Sequence, residues 1–346
     1  MEPADLLQLL SDQQARRLRV IENLLRGRRT VSTLYWGLRY DLLYLLDLNK
    51  HLPRGGLDAV AHTVVANGWA QWGSDEQPQL RLTSAGVHAR DQRPYYQPGD
   101  VTAWPLLDLN VARQRLLLAI QVTSEYAHQT NRYYPLAVDQ ATRQTVRRWF
   151  YQVRDPALPA QVAAALTATL ATLPPTVAAV TTAGLTGYQQ PGQTTQQLAD
   201  QFAITSWEAY LMHVTAVVAV AQAARDPHHV LAPLLAPTWQ SPVTRSAQAT
   251  LATVMTGTPL DRVAAERHIK PSTVREHLLE AAIMLPPTAL PYDRLIPAVA
   301  RQALLAALPQ AIDDWEYTAL PAELQERYDF FTFRLLAIWQ HKRGVD

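Results

Sequence analysis

The sequence contains no cysteine. That excludes disulfides, thiolate metal sites and cysteine nucleophiles, and it agrees with a reducing cytoplasm as the expected compartment. Lysine is nearly missing as well: Lys50, Lys270 and Lys342 are the only three, so arginine carries almost all the positive charge. Arginine suits bidentate phosphate contacts, but a bias in genomic base composition gives the same enrichment, and that explanation weighs more. A surplus of either charge is absent, since 31 basic residues face 30 acidic ones. No polycationic surface therefore covers the chain as a whole. A long apolar run is also lacking. The most apolar stretch, Tyr210 to Ala224, is interrupted by His213, Thr215 and Gln222, whereas a bilayer span takes about 20 apolar residues. The start, Met1-Glu2-Pro3-Ala4-Asp5, lacks the basic-then-apolar order of a signal peptide. These absences predict a soluble protein with no membrane contact.

The signatures of enzymes are missing too. There is no Gly-x-x-x-x-Gly-Lys-Ser/Thr phosphate loop, no His-Glu-x-x-His metal motif and no serine in a nucleophile elbow. His228 and His229 are adjacent, so their rings do not converge on one helix face, and a surface linker pair is the plainer reading. Asp313-Asp314 next to Trp315 fits a helix cap better than a metal site. Gly184-Leu185-Thr186-Gly187 has no lysine and no strand-to-helix setting for a phosphate cradle. The expectation is a protein with no catalytic residues, no cofactor and no metal.

What is present is a helix-turn-helix pattern between Thr244 and Leu285. Leu251, Val254 and Met255 precede Gly257, which can adopt the left-handed conformation that ends a helix. Thr258 is placed to cap the next helix, with Pro259 at its first position and Asp261 in its first turn, where the helix dipole favours a carboxylate. Val263, Ala264, Ile269, Val274 and Leu278 form an apolar seam. His268-Ile269-Lys270 makes the turn, and Pro271 starts a helix whose other face shows Ser272, Thr273, Arg275 and Glu276. In a DNA-binding copy of the motif, the early residues of that helix meet base edges and phosphates. The charge is unhelpful: Arg245, Arg262, Arg267, Lys270 and Arg275 stand against Asp261, Glu266, Glu276 and Glu280. Phosphate neutralisation supplies most non-specific affinity, so the motif alone binds duplex weakly. Glu276 and Glu280, one turn apart, are expected to face or flank the same phosphates. A three-helix packing unit without nucleic acid is the competing reading.

The rest of the chain reads as helical. Leu6, Leu7, Leu9, Leu10, Leu18, Ile21, Leu24 and Leu25 repeat at helical spacing, and a second stretch runs from Thr30 to Leu48. Around the interruption at Gly27 sit Arg16, Arg17, Arg19, Arg26, Arg28 and Arg29, either a phosphate-contacting patch or, by default, a solvated face with ion pairs. A helix over Leu57–Asn67, a hairpin from Trp69-Ala70-Gln71-Trp72 through Gly73-Ser74-Asp75 to Leu80-Arg81-Leu82, and a helix after Thr83 resemble a winged helix. Its wing carries Arg81 against Asp75 and Glu76, too little positive charge for a strong backbone contact. Seven arginines lie between Arg113 and Arg154, whereas none occurs from Asp155 through Ala224. Tyr126, Tyr133, Tyr134, Trp149, Phe150 and Tyr151 lie among those arginines; base stacking is one use of them and core packing the commoner one. Proline-rich stretches at Pro94–Asp100 and Pro227–Pro242 read as linkers. The organisation expected is mainly α: a winged-helix-like N-terminal domain with a small β-hairpin over 1–93, a helical middle domain over 101–232 and a C-terminal helix-turn-helix domain over 241–346.

From about Ser241 to His341 the chain resembles the helix-turn-helix domain at the C-terminus of RecQ-type DNA helicases, also found free-standing in YpbB-type proteins. The resemblance rests on Thr256-Gly257-Thr258-Pro259-Leu260-Asp261-Arg262-Val263-Ala264, on Ile269-Lys270-Pro271-Ser272-Thr273-Val274-Arg275-Glu276-His277-Leu278, and on the tail from Tyr292-Asp293 to the closing helix. Arg26-Gly27-Arg28-Arg29-Thr30 and the wing are similar to the start of the YpbB-type proteins. One departure is Lys270, where the family often has a hydroxyl residue to cap the helix. The resemblance implies a non-enzymatic partner of a RecQ-type helicase in DNA recombination or repair. The nucleic-acid-binding candidates are Arg262, Lys270, Ser272, Thr273 and Arg275, with Arg26, Arg28 and Arg29 at the other terminus. Two alternatives stay open: a sequence-specific transcriptional regulator, which requires a dimer presenting two motifs about one DNA turn apart, and a protein-interaction module without DNA contact.

Overall fold

The computed structural model describes residues 1–73 and 78–344. The fold is mainly α, with one small antiparallel sheet. In chain order the elements are α1 (Pro3–Leu9), β1 (Arg16–Arg17), α2 (Leu18–Leu25), α3 (Val31–Arg39), α4 (Asp58–Ala66), β2 (Ala70–Trp72), β3 (Gln79–Leu82) and α5 (Ser84–Asp91). There follow α6 (Leu109–Ala127), α7 (Gln140–Val153), α8 (Leu158–Leu170), α9 (Pro175–Ala183), α10 (Thr195–Phe202), α11 (Ser206–Ala223) and α12 (Ala232–Leu235). The last are α13 (Arg245–Met255), α14 (Leu260–Glu266), α15 (Pro271–Met284), α16 (Tyr292–Leu295), α17 (Ala298–Ala307), α18 (Ala322–Arg327) and α19 (Phe330–Arg343). Their contacts group the chain into two units, and neither is contiguous in sequence. Residues 1–18 and 53–240 form one; residues 19–52 and 241–346 form the other.

In the first unit, the hairpin expected from the alternation of Ala70 to Trp72 and Gln79 to Leu82 is present, with Trp72 opposite Leu80. A third strand joins it: Arg16 and Arg17 pair with Leu80 and Gln79, giving the order β1-β3-β2. Two residues carry no period, so this strand left no mark in the sequence, and Arg16 and Arg17 are ladder residues rather than part of a helical face. The turn residues Ser74 and Asp75 and the wing charge Glu76 lie outside the described residues. Thr83 caps α5, accepting from Gly86 N at 3.1 Å. Gly86 has a steric reason to be glycine: a Cβ there would lie 1.8 Å from the carbonyl oxygen of Trp69.

The stretch Pro94–Asp100 is an anchored segment inside this unit, not a linker; the second stretch is anchored in the unit as far as Gln240, where the division between the two units falls. Beside Pro94, the Tyr95 hydroxyl donates to buried Asp5 at 2.8 Å, as does the Thr205 hydroxyl at 2.5 Å. Buried Glu208 accepts from Arg93 at 2.6 Å and from the Tyr96 amide at 3.0 Å. Buried carboxylates satisfied in this way fasten the strap between α1 and α11. In the second stretch Leu231, Leu234 and Leu235 are fully buried, and Gln240 N donates to Leu106 O at 2.8 Å. Trp149, 2% exposed, donates its indole N–H to Val230 O; it is core, whereas Tyr134 and Tyr151 are exposed. The apolar run of the sequence is α11, most of it buried. Among the described residues no single helix is long and apolar enough to cross a membrane.

In the second unit, α3 and α19 pack on α15. Leu24, Leu25, Leu34, Leu45, Val274, Leu278, Leu335, Leu336 and Ile338 are all fully buried. Residues 19–52, read from the sequence as part of an N-terminal domain, thus share this core. Arg39 is buried and ion-paired to Asp313, and it also donates to Ile312 O at 3.3 Å. The helical stretch expected from Thr30 to Leu48 stops at Arg39, because Asp41 takes a left-handed conformation with φ 55°. The closing segment from Ala322 is broken after Arg327 into α18 and α19, and Asp329 caps α19 by accepting from Thr332 N. Tyr292 to Leu308 holds two helices, α16 and α17, divided by Pro297.

Candidate nucleic-acid interface

The helix-turn-helix consists of α13, α14 and α15. Gly257 has φ +96° and follows the last turn of α13, as its lack of a Cβ permits. The start of α14 differs from expectation. Pro259 stands at the cap position and makes no side-chain cap bond, and the hydroxyl of Thr258 lies 3.1 Å from that of Thr256. Asp261 is in the first turn of α14. Val263, Ala264, Val274 and Leu278 are buried and hold the helices together; Ile269 is half-buried. Met255 points outward, 51% exposed.

The turn into α15 runs through His268, at φ 52°. Lys270 caps α15 without a side-chain bond and Pro271 is the first helical residue. The missing N–H of Pro271 is one that no cap has to satisfy. Ser272, Arg275 and Glu276 are exposed and Thr273 is half-buried, whereas Leu278 through Ile283 are buried. Only the opening turns of α15 reach solvent.

Three polar groups of the motif are internal braces. Glu280, expected to flank phosphates, is 7% exposed. Its carboxylate accepts from Thr244 N at 2.7 Å and from the Thr244 hydroxyl at 2.9 Å, fixing the start of α13 to α15. The 100° step per residue explains the error: Glu280 follows the buried pair Leu278-Leu279 onto the α13 side of the helix. His277 Nδ1 lies 2.8 Å from the Thr250 hydroxyl. Burial, and then the nearby Arg267 guanidinium, hold the His277 pKa below the ordinary histidine value. Arg267 donates to Ser246 O at 2.8 Å and to the Thr250 hydroxyl. It ties α13 to the turn and is not offered to a ligand.

The remaining charges are mostly spent on one another. Arg262 pairs with Glu266 at 2.9 Å on α14, and Arg275 pairs with Asp329 at 3.2 Å. At the other terminus Arg26 pairs with Glu22 at 3.5 Å, and Arg29 donates to Pro242 O at 2.7 Å with Asp47 at 3.8 Å. The structure therefore brings Lys270, Ser272, Thr273 and Arg275 together at the head of α15. Arg26 and Arg29 serve local structure, and Arg28 is exposed beside them. Among the candidate cations, Lys270 and Arg28 carry no ion pair among the described residues. Glu276 is likewise exposed and in no ion pair among the described residues, which leaves one negative charge on the exposed face of α15. Exposed pairs contribute little stability, so a phosphate can compete for Arg262 or Arg275, at the cost of releasing a carboxylate nearby.

His228 and His229 sit in a turn: His228 N donates to Asp226, and His229 Nδ1 accepts from Leu231 N. Among the described residues no group of three or more His, Asp or Glu side chains is placed to hold a metal ion.

Comparison with known proteins agrees with this geometry. Residues 246–337 match the family described as a helix-turn-helix domain. No solved structure matches the chain. Over 275 residues, 75% of this chain and 75% of the other, the sequence is 24% identical to Protein YpbB of Bacillus subtilis (strain 168). The chain is thus a mainly helical protein similar to YpbB, and its C-terminal segment carries a helix-turn-helix domain.

Proposed function

We propose that this chain is a non-enzymatic accessory protein of a RecQ-type DNA helicase, acting in recombination or repair and touching DNA through the opening turns of α15. The observation that carries the DNA contact is the exposed head of α15 within a helix-turn-helix, where Lys270, Ser272 and Arg275 stand free of the packed core. That is the part of the motif which meets bases and phosphates when such a helix enters a major groove. The similarity to YpbB and the resemblance of the C-terminal segment to the RecQ helix-turn-helix support the helicase partner. With its arginines paired to carboxylates, the head of α15 offers few free cations, so its affinity for duplex is low and the partner supplies the rest of the binding.

The test is retrieval from the native host. Tagged protein is recovered after nuclease digestion, which removes bridging DNA, and the retained proteins are identified. A RecQ-type helicase among them is the expected result. Its absence, together with DNA fragments recovered from an undigested sample, contradicts the adaptor reading and favours a transcriptional regulator.

A further inference from the structure

Much of the basic stretch of the sequence falls on α7 of the first unit, and the site at the head of α15 makes no use of it. From Gln140 to Val153 this helix contains no aspartate or glutamate, and Thr142, Val146 and Trp149 form its buried side. Arg143, Arg147, Tyr151 and Arg154 follow at helical spacing, which sets them in a row along the solvent side. All four are exposed, as is Arg148 beside the row. Tyr151 is 55% exposed, and the guanidiniums of Arg147 and Arg154 lie over its ring at 5.8 and 5.2 Å.

No carboxylate cancels this row. None of the four arginines has an ion pair among the described residues. The carboxylates at the two ends of the helix are engaged with backbone: Asp139 accepts from Thr142 N at 2.7 Å, and Asp155 from Ala157 N at 2.8 Å. The helices packed on α7 are α6 and α12. Their only charged residues are Arg113, Arg115 and the buried Glu125. Together that is six cations against three carboxylates, and the excess lies on the exposed face. The contacts with Tyr151 orient two guanidiniums and leave their charge intact. Like charges one turn apart weaken a helix, so the row does not serve stability.

We infer that the exposed face of α7 binds the phosphodiester backbone of DNA without regard to sequence, as a second contact carried by the first unit. A phosphodiester chain presents one negative charge at each regular step, which a row of arginines one turn apart can follow, and the guanidinium fork suits phosphate oxygens. The ring of Tyr151 beside that row offers a face or edge to an unpaired base. An acidic protein segment matches the charge but gives the tyrosine no flat partner. Single strands and duplexes share the backbone, and Tyr151 separates the two. The inference does not rest on the contact at the head of α15, and either can fail alone.

The experiment uses the full chain, with a labelled oligothymidine strand and a labelled mixed-sequence duplex, each about 20 nucleotides long and titrated against salt. The variants are Arg143→Gln combined with Arg147→Gln, Gln144→Glu on the same face, and Tyr151→Leu, each with its thermal unfolding measured to establish that it folds. The double variant is expected to bind about tenfold or more weakly at low salt, with the slope of log affinity against log salt lowered by about 2. Gln144→Glu weakens binding by a smaller factor. A loss in Tyr151→Leu confined to oligothymidine supports the inference with a base against the ring; no loss on either DNA supports it with phosphate contacts alone. Wild-type affinity and slope in the double variant on both DNAs overturn the inference. So does a double variant that keeps its DNA affinity and loses binding to polyglutamate, which shows that the face takes an acidic protein segment. Lys270→Glu combined with Arg275→Glu, measured in parallel, reports on the head of α15 separately.

Discussion

Replacing Glu276 and Glu280 separately distinguishes an exposed charge from a structural one, although the two residues are one helical turn apart. Glu280 is 7% exposed and accepts two hydrogen bonds from Thr244, at 2.7 and 2.9 Å. A hydrogen bond to a charged group contributes about 1.5–3 kcal/mol, and partners left unpaired add to the loss. Because Thr244 is itself exposed and water can replace part of the contact, Glu280→Ala is expected to cost about 2–3 kcal/mol. For a unit of this size that lowers Tm by roughly 5–10 °C. Glu280→Gln keeps one acceptor and costs about 1 kcal/mol. Neither changes the charge met by a phosphate at the head of α15. Glu276→Gln is expected to leave Tm within about 1 °C, since exposed substitutions are usually near neutral. It should raise duplex affinity roughly two- to fivefold at low salt, the scale of one screened charge removed near a phosphate. Thermal unfolding followed by circular dichroism, and fluorescence anisotropy with a labelled duplex, read both effects. If Glu280→Ala melts like the wild type, or Glu280→Gln strengthens DNA binding as much as Glu276→Gln does, the assignment of Glu280 as an internal brace is wrong.

Two further outcomes follow from the first unit and one from the second. His213 on α11 has its Nε2 enclosed without a hydrogen-bond partner, and burial, followed by the nearby Arg113 charge, pushes its pKa down to about 4. The unfolded chain binds the proton more readily, so this contribution is complete above pH 6.5 and is lost as pH falls towards 4. Between pH 7 and pH 5 urea unfolding should show a loss of about 2 kcal/mol from this group. The loss should be absent in His213→Leu; equal losses in both proteins contradict it. Gly86→Ala forces a Cβ against the Trp69 carbonyl, and is expected to cost about 3 kcal/mol or more; a Tm matching the wild type contradicts the close approach of α5 to the Trp69 backbone. Arg39→Met leaves Asp313 without its ion pair and removes the bond to Ile312 O. It should lower Tm by several degrees, whereas Arg262→Met, whose ion pair lies on the surface, should change it little.

Much of the fold is legible in the sequence because its signals are local. Gly257, Pro259 and Pro271 mark the helix boundaries of the motif within a residue or two, and the seam of Val263, Ala264, Val274 and Leu278 gives its packing. The hairpin is legible from alternation, and the helical middle from apolar repeats. What escaped is non-local. β1 is two arginines paired across more than 60 residues of chain, and nothing periodic announces it. The prolines near 94 and 240 read as linkers because composition does not reveal that Tyr95 reaches Asp5, or that Leu231, Leu234 and Leu235 fill a core. Residues 19–52 join the second unit through α3, which packs on α15, and through Arg39, whose partner Asp313 lies 274 positions away. At the interface, the candidate residues are legible by type but their engagement is not. Spacing places Arg275 on the free face of α15, while only the fold puts Asp329 against it.

The central claim is that the head of α15 meets DNA. It is tested most directly by measuring duplex affinity against salt concentration for the wild type and for Lys270→Glu combined with Arg275→Glu. If that turn contacts phosphate, the double variant binds about tenfold or more weakly at low salt, and the slope of log affinity against log salt falls by about 2. Affinity and slope that match the wild type across the titration, with folding intact, contradict the claim and remove this helix-turn-helix as the DNA-contacting element.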